Sequence, residues 1–191
     1  MLFRSEEVDV EFWVGLGKTR SRQWLVLETA SKDTSECHLI PATAPRTAPA
    51  CVRPRETGVE YTLEHRDDVF YVLHNRDGSH FRLDTAPVSQ PDSWTPLVPH
   101  REDVTLEGID AFSWGVVVTE RDHHEAQVYL RVIEQGEADL DGNAQADEGL
   151  PGSRLPLPEA PCSLALGDTP DFHTRKLLLR EESFKIGRAH V

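Results

Sequence analysis

Residues 100–122 read HREDVTLEGIDAFSWGVVVTERD, and this stretch decides how the chain folds. A polar turn at 100–103 leads into an apolar run at 104–112. Ser113 separates this run from a second one at 114–119, which ends in charged residues. Two short β-type runs joined by a tight turn predict a β-hairpin.

The pattern of the second run occurs three times at a constant spacing. Trp114 begins the segment WGVVVTERD, Val69 begins VFYVLHNRD and Trp24 begins WLVLETA, so each segment starts 45 residues after the previous one. Pro54 and Pro99, each followed by a basic or histidine residue shortly before a predicted strand, keep the same spacing. A constant period of this size is typical of repeat architectures.

Each repeat contains four short β-type runs, and helix-type stripes of apolar residues are nearly absent. The predicted strands are 11–17, 23–29, 34–40 and 51–53, then 60–65, 69–74, 80–84 and 94–98, then 104–109, 114–119, 126–133 and 154–157, and finally 162–166 and 176–180. Four antiparallel strands per repeat is the pattern of a β-propeller blade. The sequence therefore predicts an all-β fold, a partial β-propeller of about three to three and a half four-stranded antiparallel blades. The alternative is a β-sandwich built from unrelated hairpins.

The spacing breaks once, after the third repeat. The extra residues fall in 135–153, which is acidic, glycine-rich and without apolar periodicity, so we expect a loop between the third and fourth strands of that blade. Within it, residues 139–143 (DLDGN) offer closely spaced oxygen donors of the kind that Ca²⁺ binds. Ala144 and Leu150 nevertheless stand where an EF-hand loop requires Gly and Glu. We predict a solvated loop rather than a calcium site.

Composition limits the cellular compartments and the classes of partner that the sequence predicts. The 191 residues carry a net charge of −13 with acidic residues spread along the whole chain, which gives no basic stripe for nucleic acid. No signal peptide and no apolar run of membrane-spanning length are present, so we expect no membrane partner. The acidic surface is compatible with a basic ligand. Cys37, Cys51 and Cys162 form an odd set without CxxC, which predicts reduced thiols in a cytoplasmic compartment, with Cys37 and Cys51 buried as small apolar residues.

Patterns for catalysis or metal binding are weak. His123 and His124 are the one histidine pair, and adjacent residues on a strand point to opposite faces. The segment 15–18 (GLGK) lacks the third glycine and the helix of a phosphate-binding loop. No Gly-x-Ser-x-Gly occurs, and Ser79 and Ser153 are predicted to lie in exposed turns. We therefore predict no catalytic, cofactor-binding or metal-ligating residues and no cofactor.

An ordered series of short motifs resembles a known family. The motifs are KTRS at 18–21, TSE at 34–36, VEYTLEHR at 59–66, NRDG at 75–78, FRL at 81–83, Trp94, LVPHRED at 97–103, LEG at 106–108, Phe112 and GDTPDF at 167–172. Together, over residues 10–184, they resemble the propeller of the oligopeptidase B group within the prolyl oligopeptidase family of serine peptidases. The resemblance implies a seven-bladed propeller above an α/β-hydrolase domain, which admits short peptides that are cleaved after Lys or Arg. It also implies that the Ser, Asp and His of the triad belong to the hydrolase domain, so it assigns no catalytic residue here.

The C-terminus departs from this resemblance. Residues 186–191 match one reading frame of a common sequencing adapter, so we expect a propeller domain at 1–185 and a non-native tail at 186–191. Met1 is a second candidate edge of a gene fragment. The sequence thus predicts a non-catalytic propeller segment, inactive alone, whose partners are the parent chain's α/β-hydrolase domain and short peptides, basic ones included. The alternative is a stand-alone propeller-like binding or scaffold module without a hydrolase domain.

Overall fold

The computed structural model describes residues 9–134, 150–157 and 162–183. These residues form fourteen β-strands, and no helix of membrane-spanning length occurs among them. The first sheet comprises β1 (Trp13–Lys18), β2 (Trp24–Ala30), β3 (Ser35–Pro41) and β4 (Ala50–Cys51). The second comprises β5 (Tyr61–Arg66), β6 (Val69–His74), β7 (Arg82–Pro87) and β8 (Thr95–Val98). The third comprises β9 (Val104–Phe112), β10 (Gly115–Asp122), β11 (Gln127–Glu134) and β12 (Ser153–Arg154), and the fourth comprises β13 (Cys162–Leu166) and β14 (Leu179–Ser183).

Each of the first three sheets is an antiparallel meander whose strands follow chain order, and β13 pairs with β14 in the fourth. The hairpin predicted from residues 100–122 is β9 paired with β10, in register from Gly115 opposite Phe112 to Asp122 opposite Val104, with one irregularity at Thr119 and Glu120. The all-β fold of three four-stranded sheets and a partial fourth is confirmed. The strands form four successive sheets with a core between each neighbouring pair. A sandwich has only two facing sheets, so the sandwich alternative is wrong.

The segments predicted to be equivalent are the second strands of successive sheets. Residues 23–29, 69–74 and 114–119 correspond to β2, β6 and β10. β6 shows why these strands are so apolar, because its side chains pack on both faces. Phe70 and Val72 join a core shared with the first sheet, whereas Tyr71 and Leu73 join a core shared with the third. A strand buried on both faces needs apolar residues at every position rather than at alternate ones.

Among the described residues, three cores therefore lie between neighbouring sheets. The one between the second and third sheets holds Val98, Val104 and Val116, all fully buried. The one between the third and fourth sheets includes Phe112, Val117 and Leu164. Full burial of each such side chain contributes roughly 1.5–3 kcal/mol of transfer free energy. Stability is thus distributed over the interfaces between sheets, as in other repeat proteins.

The connection between β11 and β12 of the third sheet differs in part from the prediction. Ser153, expected in an exposed turn, is half-buried in β12, where it pairs with Val132 of β11. The adjacent Gly152 has a positive φ of 72°, and a Cβ there would overlap the Val132 carbonyl oxygen. The close approach of the two strands therefore requires glycine at this position. Residues 135–149 of the predicted loop, with the candidate calcium residues 139–143, lie outside the described residues, as does 186–191.

Candidate functional site

The turn between β1 and β2 carries an arginine that reaches three other sheets. The Arg20 guanidinium pairs with the Asp110 carboxylate of β9 and donates to the carbonyl oxygen of Thr169 in the segment after β13. Its backbone N–H donates to Glu64 Oε2 of β5 at 3.2 Å. We call Arg20, Glu64, Asp110 and Thr169 the Arg20 cluster. Because one side chain from the β1–β2 turn contacts both β9 of the third sheet and the segment that follows β13, these parts of the chain converge at this end of the sheets.

An open groove borders the Arg20 cluster. Its lining includes Lys18, Arg22 and Pro170 beside Glu64. Glu64 is partly buried, and burial raises its pKa to about 7, although hydrogen bonds from the Arg20 and His65 backbones and the Arg20 charge act in the opposite direction. The nearby Asp110 charge raises the pKa further. Glu64 therefore changes its protonation state near neutral pH, which is unusual for a carboxyl group.

A serine and a histidine form a hydrogen bond beside this cluster. Ser21 Oγ lies 2.8 Å from His65 Nδ1, and it also lies 2.9 Å from Thr19 Oγ1. His65 is 1% exposed, and its ring is enclosed by Trp24 and Phe70 at centroid distances of 6.1 and 5.1 Å. Burial lowers the pKa of His65. A base enclosed in this way cannot deliver a proton to the leaving group of a bound peptide, so the pair joins the first two sheets and does not form a catalytic dyad.

Glu120 of β10 and Arg131 of β11 are both fully buried. Glu120 Oε1 accepts from Arg131 Nε at 2.6 Å and from Arg101 Nη2 at 2.8 Å, and its Oε2 accepts from Arg154 Nε at 2.8 Å. Arg154 also donates to Asp122 at 3.2 Å. Burial alone would raise the pKa of Glu120, but the hydrogen bonds and charges of the three arginines hold it below its usual value. This cluster fixes β10, β11 and β12 to the segment before β9.

The structure brings together one group of potential metal ligands within its described residues, and the sequence did not reveal it. These are Glu36 and His38 of β3 with Cys51 of β4. Cys37 is buried as predicted, but Cys51 is exposed, which corrects the expectation that both thiols are buried. Strand alternation explains the difference, since Cys37 faces the second sheet while its neighbours Glu36 and His38 face away from it. The E-x-H spacing was the signal available in the sequence.

The other residues singled out in the sequence do not come together. His123 and His124 lie exposed in the turn between β10 and β11, where His123 Nε2 hydrogen-bonds Thr105 Oγ1 at 2.8 Å and His124 does not share that partner. Ser79 is exposed in a turn, as predicted. The GLGK segment at 15–18 is part of strand β1 and not a phosphate-binding loop.

Comparison with known proteins identifies the family to which this architecture belongs. The family described as "Prolyl oligopeptidase, N-terminal beta-propeller domain" matches residues 1–185. Among curated proteins, dipeptidyl aminopeptidase BI of Pseudoxanthomonas mexicana is 35% identical over 147 residues, covering 75% of this chain and 20% of the relative. Protease 2 of Moraxella lacunata is 27% identical over 132 residues, covering 69% and 19%. The chain thus spans about a fifth of the length of these relatives.

Solved structures show the same fold. Oligopeptidase B from Trypanosoma brucei, in a closed form with covalently bound antipain, superposes with a TM-score of 0.77 at 24% identity, covering 92% of this chain and 24% of that one. Oligopeptidase B from Leishmania major superposes with a TM-score of 0.74 at 23% identity, with the same coverage. Three four-stranded meanders that converge at the Arg20 cluster, together with the family match over residues 1–185, show that this chain belongs to the N-terminal β-propeller domain family of the prolyl oligopeptidases.

Proposed function

We propose that this chain is the non-catalytic propeller segment of a serine oligopeptidase, in which it restricts access to the active site to short peptides. The proposal extends to the whole protein a cleavage preference for Lys or Arg, like that of the oligopeptidase B group that the sequence resembles. The α/β-hydrolase domain of the same gene product would then be the partner that carries the serine nucleophile. The Ser21–His65 pair is enclosed and does not supply one.

The observation that carries this proposal is the convergence of the sheets at the Arg20 cluster. Arg20, in the turn of the first sheet, contacts Asp110 of the third sheet and Thr169 in the segment between β13 and β14, which links these elements at one end. A narrow end between converging sheets can admit an extended peptide and exclude a folded protein. Because Arg20 holds this end together through hydrogen bonds and an ion pair, we expect its contacts to limit the width of an opening at this end.

Charge supports the proposed preference for basic peptides. The chain has a net charge of −13, and a field of one sign raises the local concentration of oppositely charged substrates. These charges would steer a basic peptide towards the domain, whereas the choice of the cleaved residue would be made in the hydrolase domain.

The alternative function is a stand-alone binding or scaffold module. The DNA beyond both ends of this reading frame distinguishes the two functions. DNA sequencing beyond both ends of this frame should reveal a downstream strand followed by Gly-x-Ser-x-Gly, the nucleophile elbow of an α/β-hydrolase. A complete gene that encodes propeller repeats without such a segment would establish the scaffold module instead.

The gating function is tested on the full-length gene product with the variant Arg20→Ala. Loss of the links to Asp110 and Thr169 should loosen the convergent end, so kcat/KM for a long peptide should rise several-fold relative to kcat/KM for a short chromogenic peptide. The matched control is Arg46→Ala, because Arg46 is exposed in the loop between β3 and β4. An unchanged ratio for Arg20→Ala, or an equal rise for Arg46→Ala, would rule out the gate.

A further inference from the structure

Strands β3 and β4 present three metal-binding residue types on one face of the first sheet. Glu36 and His38 are two residues apart on β3 and therefore share a face. Cys51 of β4 lies directly opposite His38 in the antiparallel register. This face points away from the second sheet, because the alternate β3 residues Cys37 and Leu39 fill the core on the other side.

The donor atoms are already close to the geometry of a metal site. One donor atom from each of the three residues can be chosen so that all lie within 4.8 Å of one another, and His38 Nε2 is 3.7 Å from Glu36 Oε1. Bond lengths of roughly 2.0–2.3 Å in a tetrahedral Zn²⁺ site place the ligand atoms about 3.3–3.8 Å apart. Small side-chain rotations therefore suffice, and no backbone movement is needed.

The chemistry of the three donors selects the class of ion. A thiolate, an imidazole and a carboxylate are the ligand types of Zn²⁺ sites, whereas Ca²⁺ and Mg²⁺ require oxygen donors. We propose that Glu36, His38 and Cys51 form a binding site for one borderline-soft divalent cation, best matched by Zn²⁺. The three protein ligands leave a fourth position open to water or to a ligand from outside the sheet.

Neighbouring groups are compatible with this site. The backbone N–H of Arg55 donates to Glu36 Oε2 at 3.0 Å, which orients the carboxylate and leaves Oε1 towards His38. The Arg55 guanidinium is 4.0 Å from Glu36 Oε1 and has a second partner in Thr29 Oγ1 at 3.0 Å, so the cation can replace it at the carboxylate. Hydrogen bonds of this kind to a metal ligand strengthen a site by fixing its orientation.

Binding must also displace a proton. Because only the thiolate is a good ligand, metal affinity should increase as the pH rises from about 6 to about 8, with proton release on binding.

The site is tested by titrating the 191-residue chain with Co²⁺ under a phosphine reductant. Co²⁺ occupies Zn²⁺ sites, and its coordination by a thiolate produces a near-ultraviolet charge-transfer band that carboxylate or histidine ligands alone do not give. We expect this band to saturate at one equivalent, to strengthen with pH and to disappear when Zn²⁺ is added. Absence of the band in the unmodified chain would overturn the proposal.

Serine variants identify the thiol. Cys51→Ser should abolish the band, whereas Cys37→Ser should retain it because Cys37 is 1% exposed on the opposite face of the sheet. Cys162→Ser should also retain it. His38→Ala and Glu36→Gln should each weaken the apparent affinity at least tenfold, with circular dichroism spectra that match the parent chain. A band that survives Cys51→Ser, or that is lost in Cys37→Ser or Cys162→Ser, would refute the assignment.

Discussion

Removing the charge of Glu120 should destabilise the chain more than any exposed charge substitution. Glu120→Gln keeps the side-chain volume but removes the negative charge that lies 2.6 Å from the fully buried Arg131. Breaking one side of a buried ion pair typically costs about 3–5 kcal/mol. Against a total stability of roughly 5–15 kcal/mol for a domain, this loss is about a fifth or more of the free energy of unfolding.

Urea unfolding followed by circular dichroism measures this loss. The unfolding midpoint of Glu120→Gln should fall sharply, and the thermal midpoint should fall by roughly 10 °C for a domain of this size. The matched control is Glu107→Gln, which removes an exposed partner of Arg121 and should change stability by less than about 1 kcal/mol. A Glu120→Gln variant as stable as Glu107→Gln would refute the reasoning.

A double variant separates the contribution of the Glu120–Arg131 ion pair to stability from the contribution of side-chain packing. Replacing Glu120 by Leu and Arg131 by Met removes both charges while keeping apolar volume, and buried pairs replaced in this way often lose little stability. Arg101 and Arg154, which remain, are 18% and 14% exposed and can turn towards solvent. The double variant should therefore be more stable than Glu120→Gln alone. If it is less stable, the ion pair itself contributes net stability.

Two further predictions concern pH and activity. Glu64 binds its proton more tightly in the folded chain (pKa about 7) than when unfolded (4.5), so its contribution to stability is full below the lower value and is lost as the pH rises through the higher one. The urea midpoint should therefore fall less over this window in Glu64→Gln than in the parent chain, and an identical fall would contradict the assigned pKa. The purified chain should neither cleave Arg- or Lys-terminated chromogenic peptides above background nor react with a fluorophosphonate probe. Stoichiometric labelling that Ser21→Ala abolishes would show that the enclosed Ser21–His65 pair is a catalytic site after all.

The strands of this fold could be predicted because their signal is local. Val116, Val117 and Val118 form an uninterrupted apolar run, and the structure buries them alternately against the second and fourth sheets. The 45-residue spacing then places the equivalent strand at Val69 and Trp24. Both observations need only the side-chain period of a strand and a constant repeat length.

The polar clusters could not be predicted because their members are distant in the sequence. Arg20 meets Asp110 and Thr169 across 90 and 149 residues. The residue type predicted that Cys51 is buried, since cysteine is among the residues most often found in protein interiors. The structure exposes it because β4 is a two-residue edge strand whose outer side lacks a further strand within the described residues.

The chain-order pairing of the strands has a consequence for folding during synthesis. Each sheet of the first three is complete once its own fourth strand is available, so the first can form when Cys51 has left the ribosome. At about 5–20 residues per second, Thr169 follows roughly 6 to 24 s later. For that time Arg20 lacks its acceptor Thr169, so this link between the first sheet and the segment after β13 must be among the last to form. A pause in translation before Thr169 would hold the first sheets in an open arrangement, and the convergence would be completed only when synthesis resumes.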